Sequence, residues 1–272
     1  MSKTPILPKS ARLPINRCNL PSIILGSLRF QDQPDNLYID GVHELHKDFF
    51  SLLKDAYNAM TRATLFKDYM TIHFRLHRLQ DAGLDTSRKQ HRPNADYIRT
   101  IRGWFFNPDG REAAVLKAWV ESRFGLLARY HNGSLEDTDS EIYQHYLEAR
   151  SRGLYGTNAL ESQLDLLYSY CQYELAMQYQ DQQVLKLYRG INRLNEHDIL
   201  QQQPQNNITL LLNNLNSFTS LKERADEFGD YCLEASVPRQ KILFYSNLIP
   251  GMLKGENEYL VLGGLYKAIY TR

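Results

Sequence analysis

An excess of charge of either sign is missing from this 272-residue chain: 32 basic residues stand against 31 acidic ones, a net +1. A protein that held nucleic acid by a general basic field would need a larger surplus, so no nucleic-acid partner is expected. Cysteine is scarce. Cys18, Cys171 and Cys232 are odd in number and far apart, which excludes a disulfide framework and a thiolate zinc spacing. No apolar run approaches the length that crosses a bilayer, so no membrane span is expected. The opening residues hold no apolar signal core and are interrupted by Pro5, Pro8 and Pro14. The expected location is therefore the cytoplasm, with the thiols reduced.

What is present divides the chain by its hydrophobic period. Hydrophobic residues make up 43%, ample for a core. The segment Ser22 to Leu28 is apolar but too short for periodicity to separate a strand from a turn of buried helix. From about His43 to Gln180 the spacing is helical. Leu45, Phe49, Leu52, Leu53 and Ala56 mark one stripe, and Met60 to Leu79 carries another. Ala95 to Phe106, Arg111 to Tyr130, Ser140 to Ser151 and Ala159 to Gln180 follow, the last rich in tyrosine. Asn107-Pro108-Asp109-Gly110 is a turn, since proline presets one dihedral and glycine supplies the opposite sign. After Gln183 the period changes to two. Strands are expected over Val184 to Gly190, Asn207 to Leu215, Tyr231 to Val237, Lys241 to Tyr245, Glu258 to Leu262 and Leu265 to Tyr270. A short helix fits Leu221 to Phe228, with Gly229 ending it. Gln201 to Asn207 reads as a polar loop. The fold class is α+β: a mainly helical region, residues 1–180, packed on a β-rich core, residues 181–272.

Most polar clusters read blandly. His73 and His77 stand one helical turn apart, but no third ligand accompanies them, so no metal is expected; His43 and His46 are no better. Arg88, Lys89, Arg92, Arg99 and Arg102 form a basic run that reads as a solvated face or as a docking site for an acidic partner. The Trp104-Phe105-Phe106 cluster reads as core.

Three signals in the C-terminal part fall in a fixed order. Tyr188-Arg189-Gly190 closes a strand. Ser217-Phe218-Thr219-Ser220 lies between a strand and a helix. Glu256 and Glu258, one residue apart, open a later strand and project to one face. Two carboxylates that close repel unless a cation sits between them or one takes a proton.

In this order the residues from Val184 to about Tyr270 resemble the arginine-specific mono-ADP-ribosyltransferases of the Arg–Ser–Glu class. The resemblance implies an NAD cleft in a β-rich ADP-ribosyltransferase core, with NAD as a substrate. Glu258 would stabilise the positive charge that develops as the nicotinamide bond breaks. Glu256 would hold the acceptor guanidinium and take its proton. Arg189 suits the diphosphate, Gly190 a close approach to the nicotinamide amide, Thr219 and Ser220 bracing hydrogen bonds, and Phe228 either ring stacking or a core position. One departure stands out: the class reads Ser-x-Ser before the helix, whereas here Phe218 takes the first serine position and Ser217 comes one step early. Either a bulge re-aims Ser217 or Ser220 has the role.

Asn16-Arg17-Cys18-Asn19-Leu20-Pro21, Phe30-Gln31, Ile39 to Val42 and Glu256 to Gly264 extend the likeness over nearly the whole chain, to the dinitrogenase reductase ADP-ribosyltransferases of nitrogen-fixing bacteria. That resemblance implies a cytoplasmic enzyme that modifies one arginine of the nitrogenase iron protein and switches nitrogen fixation off. It also implies control by a PII signalling protein, with docking carried by the helical region. The rival readings are an NAD glycohydrolase, a transferase with another protein target, and a non-catalytic nucleotide- or partner-binding pseudoenzyme.

Overall fold

The computed structural model describes residues 4–76, 96–155, 157, 159–252 and 257–272. The short apolar segment near the start is helical, forming α1 (Ser22–Leu25) and α2 (Leu28–Asp32). Ser27 caps α2, its hydroxyl accepting from the Phe30 amide, as short hydroxyl side chains do at helix starts. Leu25, Leu28 and Phe30 are buried. Buried Gln31 ties α2 to the sheet: its amide donates to the carbonyls of Ser236 and Lys267 and its oxygen accepts from the Lys267 N–H.

The helical region continues with α3 (Val42–Leu45), α4 (Lys47–Asp55), α5 (Ala59–His73), α6 (Tyr97–Phe106), α7 (Arg111–Phe124), α8 (Glu141–Leu154) and α9 (Leu160–Gln178). Two expectations need correction. The apolar stripe of Leu45 to Ala56 is not continuous. The chain breaks at His46 between α3 and α4, so Phe49 and Leu53 are buried while Leu45 and Leu52 face solvent. Helix α7 stops at Phe124 rather than Tyr130, because Gly125 takes a left-handed conformation at φ 67°, where glycine carries no Cβ penalty. Beyond it Leu126 bridges Arg12 and Tyr130 bridges Ser134 in extended chain. The tyrosines of α9 are buried as expected at Tyr168 and Tyr170, and the Tyr168 hydroxyl donates to the Gln240 carbonyl at 2.9 Å.

The sheet is wholly antiparallel. Its strands are β1 (Val184–Ile191), β2 (Asp198–Gln203), β3 (Asn207–Thr219), β4 (Tyr231–Pro238), β5 (Ile242–Tyr245) and β6 (Glu258–Thr271), with α10 (Lys222–Asp226) between β3 and β4. The order is β2-β3-β1-β4-β6-β5, and β3 also pairs with β6. Strands β3, β1, β4 and β6 thus close a ring. Three sequence expectations change. Gln201 to Gln203 are strand, not loop. Strand β3 runs on through the Ser217-Phe218-Thr219 motif. The two late strand candidates are one strand that passes through Gly263-Gly264.

A bulge explains why β3 and β6 stay paired past these irregular points. Leu212 faces Gly264 but Leu215 faces Leu262, so β3 holds one extra residue at Asn213–Asn214, which bends the strand and re-aims the side chains beyond it. The asparagines pin it. Asn213 accepts from the Arg129 N–H and donates to the Tyr130 carbonyl; Asn214 donates to the carbonyls of Lys117 and Leu126. Opposite the bulge only glycine fits, since a Cβ on Gly263 would lie 1.7 Å from the Asn213 oxygen. One hydrophobic cluster runs from Leu7 to Ala268 and joins the helices to the sheet.

Candidate functional site

Arg189 lies near the end of β1. Nη1 donates to the Ser217 carbonyl at 2.8 Å. Among the described residues Nε is buried with no hydrogen-bond partner. Burial alone pulls the guanidinium down to about 10, since desolvation disfavours the charged form. Among the described residues no carboxylate makes an ion pair with it. Gly190 beside it is needed for packing: a Cβ there would meet the Ala225 carbonyl of α10 at 2.2 Å and Phe228 at 3.0 Å. The side-chain-free face of Gly190 is thus filled by the Ala225 carbonyl and Phe228.

The motif on β3 and the start of β6 meet the same end of the ring. Thr219 faces Tyr188 of β1 on one side and Glu258 of β6 on the other. Ser217 and Thr219, two apart, share a face, and paired residues project together. Phe218 points the other way and is buried. The extra residue at Asn213–Asn214 lies ahead of this motif, and by alternation Ser217 and Thr219 fall on the same face as Glu258. Thr219 Oγ1 also accepts from the Leu221 N–H at 3.2 Å, opening the turn into α10. Ser220 is exposed, its N–H donating to the Asn257 carbonyl at 3.3 Å. Glu258 is held by its backbone: its N–H donates to Ser246 Oγ at 2.8 Å and its carbonyl accepts from the Ser246 N–H at 2.9 Å. Phe228 is no core residue; its ring is exposed, with the Arg224 guanidinium 4.9 Å from its centre. Glu256 lies outside the described residues.

The helical region reaches into this site, which the sequence did not show. Trp104 of α6 is buried, as expected of core, yet its Nε1 donates to Ser217 Oγ at 2.9 Å. Lys117 of α7 stands 5.7 Å from the indole centre. Its Nζ donates to Asp109 at 2.9 Å and to the Tyr130 carbonyl at 2.9 Å, and contacts His131 Nδ1 at 3.2 Å. Burial lowers the lysine, Asp109 opposes that, and the nearby Arg189 charge adds to the fall. His131 is held neutral, its pKa brought to about 4 by burial and then by Lys117. His197, ahead of β2, is likewise lowered by burial and then by Arg189.

The other sequence candidates do not join the site in this way. His73 stacks on Tyr69 and meets His46 edge to face, and burial holds His46 down to about 4; His77 lies outside the described residues. Of the basic run, Arg88, Lys89 and Arg92 lie outside them too. Arg102 is not a free surface charge: its Nε and Nη2 donate to the Met252 carbonyl at 3.0 and 2.8 Å. Arg99 reaches Glu112 at 3.9 Å. A cavity of about 540 Å³ lies by the strand β5 edge, lined by Tyr57, Tyr179, Tyr245 and Tyr259 over the buried Arg62–Glu174 pair. No described helix is long and apolar enough to cross a membrane.

An antiparallel ring that gathers an arginine, hydroxyls and a glutamate at one end resembles the Arg–Ser–Glu class of ADP-ribosyltransferases. The comparison with family models narrows this. The model described as dinitrogenase reductase ADP-ribosyltransferase matches residues 15–269, and the chain belongs to that family. It is also 36% identical over 268 residues to the NAD(+)–dinitrogen-reductase ADP-D-ribosyltransferase of Rhodospirillum rubrum, an alignment covering 94% of each chain. No solved structure matches the chain.

Proposed function

We propose that the protein is an NAD-dependent mono-ADP-ribosyltransferase that modifies an arginine of dinitrogenase reductase, the nitrogenase iron protein, and so switches nitrogen fixation off. The 36% identity to an enzyme bearing that name, over nearly the full length of both chains, carries the reading. The residues present also fit NAD. The buried Nε of Arg189 has no hydrogen-bond partner among the described residues, and a guanidinium fork matches the oxygens of a diphosphate. Leaving such a group unpaired is costly, so bound diphosphate would relieve a penalty already built into the fold.

The chemistry assigns the remaining roles. The bond between the ribose carbon and the nicotinamide nitrogen breaks, and its electron pair leaves with nicotinamide. Glu258 faces the positive charge left on the sugar, in a setting where a fixed charge needs no reorganisation. A guanidinium nitrogen of the acceptor forms the new bond and gives its proton to Glu256. Ser217 and Thr219 brace the Glu258 side; Ser220, Gly190 and Phe228 border it. We place the enzyme in the cytoplasm, with a PII signalling protein as regulator, on the family resemblance alone.

Labelled NAD incubated with the protein and purified dinitrogenase reductase tests the reading. Label on a single arginine of the target is expected. Nicotinamide release with no label transferred would make the protein a glycohydrolase, and no turnover would make it a pseudoenzyme.

A further inference from the structure

Helix α6 makes two polar contacts with distant parts of the chain. Arg102 donates to the Met252 carbonyl. Two residues on, Trp104 donates to the hydroxyl of Ser217 in the candidate site. Ser217 is thereby held at both ends, since its carbonyl accepts from Arg189. The indole is itself fixed. It is buried, and the Lys117 ammonium near its face is locked by three partners, Asp109 in the turn after α6, the Tyr130 carbonyl and His131.

We propose that Trp104 is a positioning residue for the transfer reaction, setting the Ser217 hydroxyl for its work beside Glu258. A serine hydroxyl has one proton to give and two lone pairs, whereas an indole N–H can only donate. The Trp104 bond therefore occupies a lone pair and turns the Ser217 proton away from the ring. Ser217 shares a face with Thr219, which stands opposite Glu258, so the hydroxyl is a diagonal neighbour of the carboxylate, within reach of a group bound between them. Without the indole the hydroxyl would rotate among several wells, and orientation lost at a reacting centre lowers rate more than binding. The inference rests on the transferase reading above.

The test replaces Trp104 with benzothienylalanine, which puts sulfur in place of the N–H at nearly the same volume, with Trp104→Phe as a second variant. Each is made in the native background and in Ser217→Ala. The kcat of nicotinamide release with dinitrogenase reductase present should fall about fivefold to tenfold, the scale of one neutral hydrogen bond, with KM for NAD changed by less than about twofold. In the Ser217→Ala background the same swap should change nothing. An unchanged kcat, or an equal loss in both backgrounds, overturns the inference and leaves Trp104 as packing. If the unsubstituted protein releases no nicotinamide and transfers no label, the transferase reading itself fails, a different result from either.

Discussion

The helical region and the sheet treat buried positive charge in opposite ways. In the helices it is paired. Arg62 makes a two-point pair with Glu174 at 2.6 and 2.8 Å, and Arg123 binds Asp165 and Glu161. In the β-rich part, the inner guanidinium nitrogen of Arg189 and the ammonium of Lys241, in the turn before β5, are buried without a carboxylate partner among the described residues. Lys241 Nζ donates to the Gly263 carbonyl at 3.0 Å and sits 4.5 Å from the Tyr266 ring centre; burial lowers it to about 7. Paired charge serves the architecture. An unpaired buried cation is a cost the fold carries, and at Arg189 that cost falls where we propose that the diphosphate binds.

Breaking a pair in the helices should produce the largest change. Arg62→Ala strands Glu174 in the interior and should destabilise the protein by about 3–5 kcal/mol, read as a lower midpoint in urea unfolding. A neutral result would show that Glu174 escapes to solvent and that the helical pairs are not structural. In the sheet the damage should fall on function instead. Glu258→Gln should cut transfer to dinitrogenase reductase by about 10² to 10³-fold, the scale of losing one group that stabilises transition-state charge, with the melting temperature little changed. Near-native activity in that variant would remove Glu258 from the chemistry.

Arg189→Lys sharpens the contrast further. A point charge cannot reproduce the fork, so NAD affinity by calorimetry should drop about tenfold or more while stability holds. Equal affinity would mean that charge alone matters there. The smallest effect belongs to Lys241. Its folded pKa lies below the unfolded value, so the unfolded chain binds the extra proton between about pH 7 and 10.5, and stability should rise with pH across that window. Lys241→Met should remove that rise and leave stability at pH 7 equal or slightly higher. A midpoint that still climbs from pH 7 to 9 in the methionine variant would assign the effect to another group.

Residues read correctly along the chain are those whose signal is local. The change of period from helix to strand near Gln183 is carried by side chains a few positions apart, so the α+β class and most strands could be read directly. The order of Arg189, the serine–threonine motif and Glu258 is likewise a property of the chain. The extra residue at Asn213–Asn214 could be suspected from the displaced serine, but its place could not, because the atoms that pin it belong to Lys117, Leu126 and Tyr130. The ring that closes through β3 and β6 was hidden for the same reason: Gly263-Gly264 resembles a break until the bulge facing it is known. Trp104 is the clearest case. An apolar cluster on a helix reads as core; Trp104 is core, whereas Phe105 is only half-buried and Phe106 faces solvent. The Trp104 bond to Ser217 spans 113 residues, and no periodicity or propensity carries information over that separation. Local chemistry selects which elements form and which residue types are available. Only packing of distant segments decides which of those residues meet, because contact depends on the path of the whole chain.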